Sequence, residues 1–129
     1  MPHIVVEYSA NLEDHIDVGE LLTSVHAAAA SHALVPLAGL RTRAMKRDQY
    51  LVANCDPRNL FVAVIARFNG DRGQEPLLEI RDLLMSACSD SLSQIREEQP
   101  LALSVEVQAI DAAMRINDNS IRDHYEELR

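Results

Sequence analysis

The chain has 129 residues, of which 47% are apolar and 25% charged, and its formal net charge at pH 7 is −8. This length and composition fit a single globular domain, and the acidic charge argues against general binding to nucleic acids or to anionic membranes. No apolar stretch reaches the roughly 18 to 20 residues of a membrane span, and the N-terminus lacks the layout of a signal peptide. We therefore expect a cytoplasmic protein.

The first part of the chain predicts a strand, a helix and a second strand. Residues 3–9 are rich in β-branched and aromatic side chains, which favours a strand that begins almost at the N-terminus. Apolar residues then recur at helical spacing over residues 17–33. Residues 38–45 alternate as in a strand, which puts Arg41 and Arg43 on one face.

The second part repeats this order. Residues 60–68 form a nearly continuous apolar run, typical of a strand that is covered on both faces. A helix is expected from about Pro76 to Ile95, because apolar residues form a stripe at helical spacing. Residues 101–108 alternate clearly between apolar and polar side chains, which indicates a half-buried strand. The remaining tail is either a packed arm or a frayed end.

The repeated order indicates an internal duplication of one β-α-β unit, with repeats over about residues 1–57 and 58–129 of a single domain. A crossover through a helix joins parallel strands, so each repeat supplies one parallel pair. The fold class is therefore α+β with two layers: a four-stranded mixed sheet with both helices on one face. Because the strand at 60–68 is apolar on both sides, we expect another copy of the chain to cover the open face.

The sequence contains no common signature of cofactor or metal chemistry. The glycine-rich phosphate loops, the G-x-S-x-G nucleophile motif and the H-E-x-x-H zinc motif are all missing. The five histidines show no ligand spacing, and Cys55 and Cys88 stand alone. We expect a protein that uses neither a metal ion nor a cofactor.

Pro2 is a candidate general base. A methionine that precedes proline is normally removed, which would leave a secondary amine at the tip of the first strand. An α-amino group has a pKa of about 7.7 to 8.0, so it can take and return protons near neutral pH. Met-Pro starts are common, however, and taken alone the pair favours the interpretation that Pro2 has no catalytic role.

A cluster of cations follows the first helix. Residues 41–47, R-T-R-A-M-K-R, carry four cations and no acid. In an acidic protein, such a segment indicates a site for a small anion.

Several segments together carry a resemblance to a known family. The start P-H-I-V-V-E-Y-S, the segment P-L-A-G-L-R-T-R from Pro36, the loop arginine Arg72 and the strand A-L-S-V-E-V resemble the 5-carboxymethyl-2-hydroxymuconate isomerases. These enzymes belong to the tautomerase superfamily. The match around Arg72 is looser, because Gly73 and Gln74 follow where a small polar residue is expected.

The resemblance implies a tautomerase-like fold, a homotrimer and a set of site residues. In the family, the mature N-terminal proline is the general base and arginines hold the carboxylates of the substrate. Transferred to this chain, Pro2 and Arg41 are catalytic, and Arg41 and Arg72 bind the substrate. Arg43 stays outside this set, because an ion pair in solvent or at an interface explains it equally well.

The implied reaction needs no cofactor. The enzyme would convert 5-carboxymethyl-2-hydroxymuconate, or a similar di- or tricarboxylate 2-hydroxydienol, to its 2-oxo-ene isomer in the breakdown of aromatic compounds. The second repeat begins inside the chain and has no free amine, so each subunit would hold one active site. Two alternatives remain: a tautomerase-fold enzyme with another acidic substrate, such as a hydratase or dehalogenase, and a non-catalytic ligand-binding member.

Overall fold

Four strands and two long helices form the framework of the protein, whose computed structural model describes residues 2–128. The strands are β1 (His3–Ser9), β2 (Arg41–Arg47), β3 (Leu60–Asn69) and β4 (Leu101–Ile110). The helices are α1 (Val18–Ala30), α2 (Gln74–Ser91) and the shorter α3 (Ser93–Glu98) and α4 (Ile121–His124). Short 3-10 turns lie at Ala10–Asp14, Leu37–Gly39, Ala112–Met114 and Glu126–Leu128.

The four strands form one mixed sheet in the order β2-β1-β3-β4. β1 pairs in parallel with β2, and β3 in parallel with β4, as expected when each pair is joined through a helix. The central pair of β1 and β3 is antiparallel. The predicted fold class, a four-stranded mixed sheet with two main helices, is therefore confirmed.

The core lies between the sheet and the two long helices. Alternate residues of β1 and β3 are buried, as the two-residue period of a strand requires when one face is covered. They pack with the apolar stripes of α1 and α2, so both helices cover the same face. The main buried contributors are Ile4, Val6, Val62 and Val64 from the sheet and Leu21, Val25, Ala29, Ile80, Leu84 and Cys88 from the helices.

The second strand begins later than the sequence pattern indicates. The predicted strand covered residues 38–45, but Leu37–Gly39 form a 3-10 turn and β2 begins at Arg41. The turn is closed by a hydrogen bond from the backbone N–H of Gly39 to the carbonyl of Pro36, at 3.0 Å. The error arises because the turn residues Leu37 and Ala38 are apolar and continue the sequence pattern of a strand, although Leu37 is exposed.

The helices also differ slightly from their predicted bounds. α1 ends at Ala30, three residues before the expected end. The long second helix is interrupted at Leu92, whose φ of −105° and ψ of 8° leave the helical region. The Ser93 hydroxyl donates to the carbonyl of Asp90 at 3.1 Å, a local bond that competes with the helical pattern. Buried apolar residues continue at helical spacing across the break, so the sequence pattern could not reveal it.

The C-terminal tail is tied to the rest of the domain, although most of its residues are exposed. The side-chain amide of Asn119 donates to the carbonyl of Ala38 at 2.9 Å, which ties the tail to the turn before β2. Gly70 N–H donates to the carbonyl of Ile110 at 3.0 Å at the start of the tail. The assignment of one domain with a repeat boundary near residue 57 stays a prediction. Within residues 2–128, no helix is long and apolar enough to cross a membrane.

Candidate active site

Pro2 is buried at the N-terminal end of β1. Its carbonyl accepts a hydrogen bond from the backbone N–H of Arg41 at 3.1 Å, which extends the parallel pairing of β1 and β2. The next residue, His3, lies opposite Arg41 on one side and Arg67 on the other. Pro2 is thus held at the end of a central strand.

Pro2 and Arg72 line the same cavity, which has a volume of about 180 Å³ and also includes Arg115. The cavity lies on the helix side of the sheet. Two cationic side chains and an otherwise largely apolar wall suit a small organic anion. The apolar part of the wall comes from Leu34, Pro36, Phe68, Pro76, Leu77 and Ile80.

The loop that carries Arg72 has a backbone that depends on glycine. Gly73 has a φ of +86° and a ψ of −179°, a region that is essentially restricted to glycine. Its N–H donates to the carbonyl of Gly70 at 3.2 Å, and α2 begins at the next residue. The loop therefore sets Arg72 beside the N-terminal end of α2, where the helix dipole favours an anion.

Arg41 does not line the cavity of Pro2 and Arg72. It lines a second cavity, of about 430 Å³, with His3, Arg67 and Arg115. The strand period explains the separation: Arg41 shares the open face of the sheet with His3, whereas Pro2, one residue earlier, lies on the helix side. Within one chain, the structure brings together Pro2 and Arg72 and leaves Arg41 on the other face.

His3 lies between two guanidinium groups. Arg43 Nη1 is 3.1 Å from His3 Nδ1, and Arg41 Nη1 is 3.4 Å from His3 Nε2. A neutral imidazole has one acceptor nitrogen, so only one of these contacts can be a hydrogen bond. Burial lowers the pKa of His3, and the charges of Arg43, Arg41 and Arg67 lower it further.

The arginines that line the two cavities, together with Arg43 beside His3, lack acidic partners within residues 2–128. Within residues 2–128, five of them form no ion pair: Arg41, Arg43, Arg67, Arg72 and Arg115. Arg96, outside both cavities, also forms none within residues 2–128, whereas Arg47, Arg58 and Arg81 are paired, as in the 2.6 Å contact of Arg47 with Glu7. In a chain with a net charge of −8, such unpaired guanidiniums are available to bind an anion.

Sequence reasoning missed Arg67 and Arg115. Arg67 could have been found from the alternation of β3, since it follows Phe61, Ala63 and Ile65 on the open face. Arg115 lies in the irregular tail, where no period marks it. Across residues 2–128, no group of three or more His, Cys, Asp or Glu side chains is placed to hold a metal ion. Cofactor-free chemistry stays a prediction.

Comparisons with known proteins agree with this description. The family model "5-carboxymethyl-2-hydroxymuconate isomerase" matches residues 2–125. The 5-carboxymethyl-2-hydroxymuconate Delta-isomerase of Escherichia coli is 25% identical over 121 residues, which cover 94% of this chain and 96% of that protein. The crystal structure of a 5-carboxymethyl-2-hydroxymuconate isomerase from Deinococcus radiodurans R1 matches with a TM-score of 0.88 and 26% identity, over 96% of this chain and 93% of the other.

A more distant structure shares the fold. A fused 4-OT, described as a wild-type symmetric trimer, matches with a TM-score of 0.64 and 17% identity, over 91% of this chain and 93% of the other. The fold is thus that of the tautomerases, and the family model spans nearly the whole chain. The chain therefore belongs to the 5-carboxymethyl-2-hydroxymuconate isomerase family, as its sequence resemblance predicted.

Proposed function

We propose that this protein is a cofactor-free isomerase with the amine of Pro2 as its general base. Its substrate would be 5-carboxymethyl-2-hydroxymuconate or a similar acidic 2-hydroxydienol, and its product the 2-oxo-ene isomer. The observation that supports this most directly is the shared cavity of Pro2 and Arg72 in a chain of this family. Met1, whose removal the mechanism requires, lies outside the described residues.

The chemistry follows from the surroundings of Pro2. The apolar wall of the cavity and the guanidiniums of Arg72 and Arg115 favour the neutral amine over the charged one. The neutral amine takes the proton of the 2-hydroxyl group, and the electron pair moves through the conjugated system as the 2-oxo group forms. The protonated amine then returns a proton to a carbon farther along, so the reaction is a redox-neutral isomerisation.

Arg72 would bind a substrate carboxylate. Its planar guanidinium can grip a carboxylate through two parallel hydrogen bonds and stays charged at all relevant pH values. Such a contact fixes the dienol relative to Pro2 and stabilises negative charge that develops during the reaction.

For Arg41, we propose a role that depends on assembly into a homotrimer. The open face of the sheet carries half-buried Phe61 and Ile65, and the side chains of Met114 and Ile116 in the tail are 80% and 101% exposed. Exposed and half-buried apolar side chains of this kind favour contact with another copy. The fused 4-OT of the same fold is described as a symmetric trimer. In such an assembly, Arg41 would lie at the contact between copies and complete the site of a neighbouring subunit.

A steady-state assay tests the proposed reaction. Protein without Met1 should convert 5-carboxymethyl-2-hydroxymuconate to its enone, followed by ultraviolet absorbance. Pro2→Ala should lower kcat/KM by up to the roughly 10² to 10⁴-fold that a general base contributes. Pro57→Ala, the same change at an exposed loop residue, is the matched control and should leave turnover unaltered. Wild-type kcat/KM in the Pro2→Ala variant would contradict the role of Pro2.

A further inference from the structure

Arg115 lines both cavities, the smaller one with Pro2 and Arg72 and the larger one with His3 and Arg41. We infer that Arg115 is a specificity-determining residue, which binds one additional carboxylate and so selects a tricarboxylate substrate over a dicarboxylate. This inference rests on the proposed function and extends it to a residue outside the sequence motifs.

The charge of Arg115 is free to meet a ligand. The residue is half-buried and forms no ion pair within residues 2–128. One carboxylate, that of Asp118, also lines the larger cavity, but it does not pair with Arg115. In the smaller cavity, the charged wall residues are Arg72 and Arg115. The charges on the wall of that cavity are therefore positive.

The segment that carries Arg115 is tied to the rest of the domain on both sides. Before it, the N–H of Gly70 donates to the carbonyl of Ile110 at 3.0 Å, at the end of β4. After it, Asn119 donates to the carbonyl of Ala38 at 2.9 Å. A guanidinium on an anchored segment loses less conformational entropy when it binds an anion.

A tricarboxylate substrate needs one more cationic partner than the two arginines that the resemblance assigns. A muconate has two carboxylates, and the carboxymethyl substituent adds a third. Arg72 and Arg41 are the two arginines that the resemblance assigns to the substrate. Arg115 lines the cavity of Pro2 and Arg72 and is then available for the third carboxylate, whereas Arg67 lines only the larger cavity. A dicarboxylate dienol would leave it without a partner.

The test compares two substrates in Arg115→Gln. The KM for 5-carboxymethyl-2-hydroxymuconate should rise by about tenfold to a hundredfold, the value of a charged hydrogen bond, with kcat little changed. The KM for 2-hydroxymuconate, which lacks the third carboxylate, should change by less than about twofold. Arg115→Lys should recover part of the loss, because it keeps the charge and loses only the planar geometry. Arg81→Gln, a loss of one charge on α2 outside both cavities, should alter neither KM.

Equal changes for both substrates, or none for either, would overturn the assignment. A direct binding measurement distinguishes a wrong assignment of Arg115 from a failure of the proposed reaction. By calorimetry, propane-1,2,3-tricarboxylate should bind more weakly to Arg115→Gln than to the wild type, whereas pentanedioate should bind equally to both. If the wild type turns over neither dienol but shows this difference, the proposed reaction is wrong and the binding role of Arg115 stands. If the tricarboxylate binds equally to Arg115→Gln and to the wild type, the proposed binding role of Arg115 is wrong. Equal thermal melting of the variant and the wild type checks that the fold is intact.

Discussion

Neighbouring residues at the start of β1 serve opposite sides of the sheet. Pro2 lies at the helix-side cavity with Arg72, and His3 lies on the open face between Arg41 and Arg43. Side chains of successive strand residues alternate between faces, so one step along the backbone separates the proposed base from the arginine cluster. The charges of Arg41 and Arg43 therefore lower the pKa of His3 directly, and a titration of His3 measures this effect.

We expect the imidazole of His3 to titrate below pH 6.5. Burial and the charges of Arg43, Arg41 and Arg67 lower its pKa, so the folded chain resists a proton that the unfolded chain takes at about 6.5. The stability that this difference contributes is present above pH 6.5 and is lost as the pH falls through the folded pKa. An NMR titration of the ring proton measures the midpoint, and Arg43→Gln should raise it. A midpoint at or above 6.5 in the wild type would contradict this electrostatic description.

Gly73 is expected to tolerate no side chain without loss of stability. Its φ of +86° with a ψ of −179° is strained for any other residue, although a Cβ at this position would meet no atom within 4 Å. Gly73→Ala should lower the free energy of unfolding by about 1 to 3 kcal/mol, measured by urea denaturation. The matched control is Gln74→Ala at the first residue of α2, which should have little effect. Equal stabilities of the two variants would show that the loop can adopt another backbone conformation.

At the scale of elements, the sequence pattern predicted most of the framework. The strands β1, β3 and β4 follow from alternation or from an apolar run, and the helices from their apolar stripes. The errors have local causes. The turn after Pro36 continues the apolar pattern of a strand, and the break at Leu92 keeps the buried stripe in phase. Neither the turn nor the helix break changes the spacing of the apolar residues, so the sequence pattern could not reveal either of them.

The candidate site was predictable only in part. Pro2, Arg41 and Arg72 follow from motifs in the sequence, but their relative positions depend on strand register and on the loop before α2. Arg115 carries no motif and lies in a tail without periodicity. Its place beside Pro2 follows from long-range contacts, such as that of Asn119 with Ala38, which a single sequence does not reveal.

The two cysteines should differ sharply in reactivity. Cys88 is fully buried on α2, and burial raises the pKa of its thiol to about 11, whereas Cys55 is exposed. Because the thiolate is the reactive species, iodoacetamide at pH 8 should modify Cys55 in the native protein and reach Cys88 only after unfolding. Mass spectrometry counts the labels. Native Cys55→Ser should stay unlabelled, and rapid labelling of that variant would show that α2 opens readily.

In the molecule as a whole, the helices cover one face of the sheet, and no second layer covers the open face within residues 2–128. It combines half-buried Phe61, Ala63 and Ile65 with His3 and Arg41. The helices cover the opposite face, so a single chain leaves these apolar groups without a partner layer. A symmetric assembly would cover the face in every copy at once.

We therefore expect light scattering after size exclusion to give three times the 14.4 kDa mass of one chain. Ile65→Glu places a charge on the open face and should shift the protein towards single chains. Ser86→Glu adds the same charge to the exposed side of α2 and should leave the assembly intact. A wild-type mass of one chain at micromolar concentration would remove the trimer, and with it the proposed inter-subunit role of Arg41.

The central claim concerns the amine of Pro2, which exists only after Met1 is removed. While Met1 is attached, the nitrogen of Pro2 is a tertiary amide without a basic lone pair. Preparations with different fractions of retained Met1, quantified by intact mass, can be compared in the same isomerase assay. If Pro2 is the base, kcat per chain rises in proportion to the Met1-free fraction and vanishes as that fraction approaches zero. Equal kcat/KM for Met1-retaining and Met1-free protein would contradict the claim.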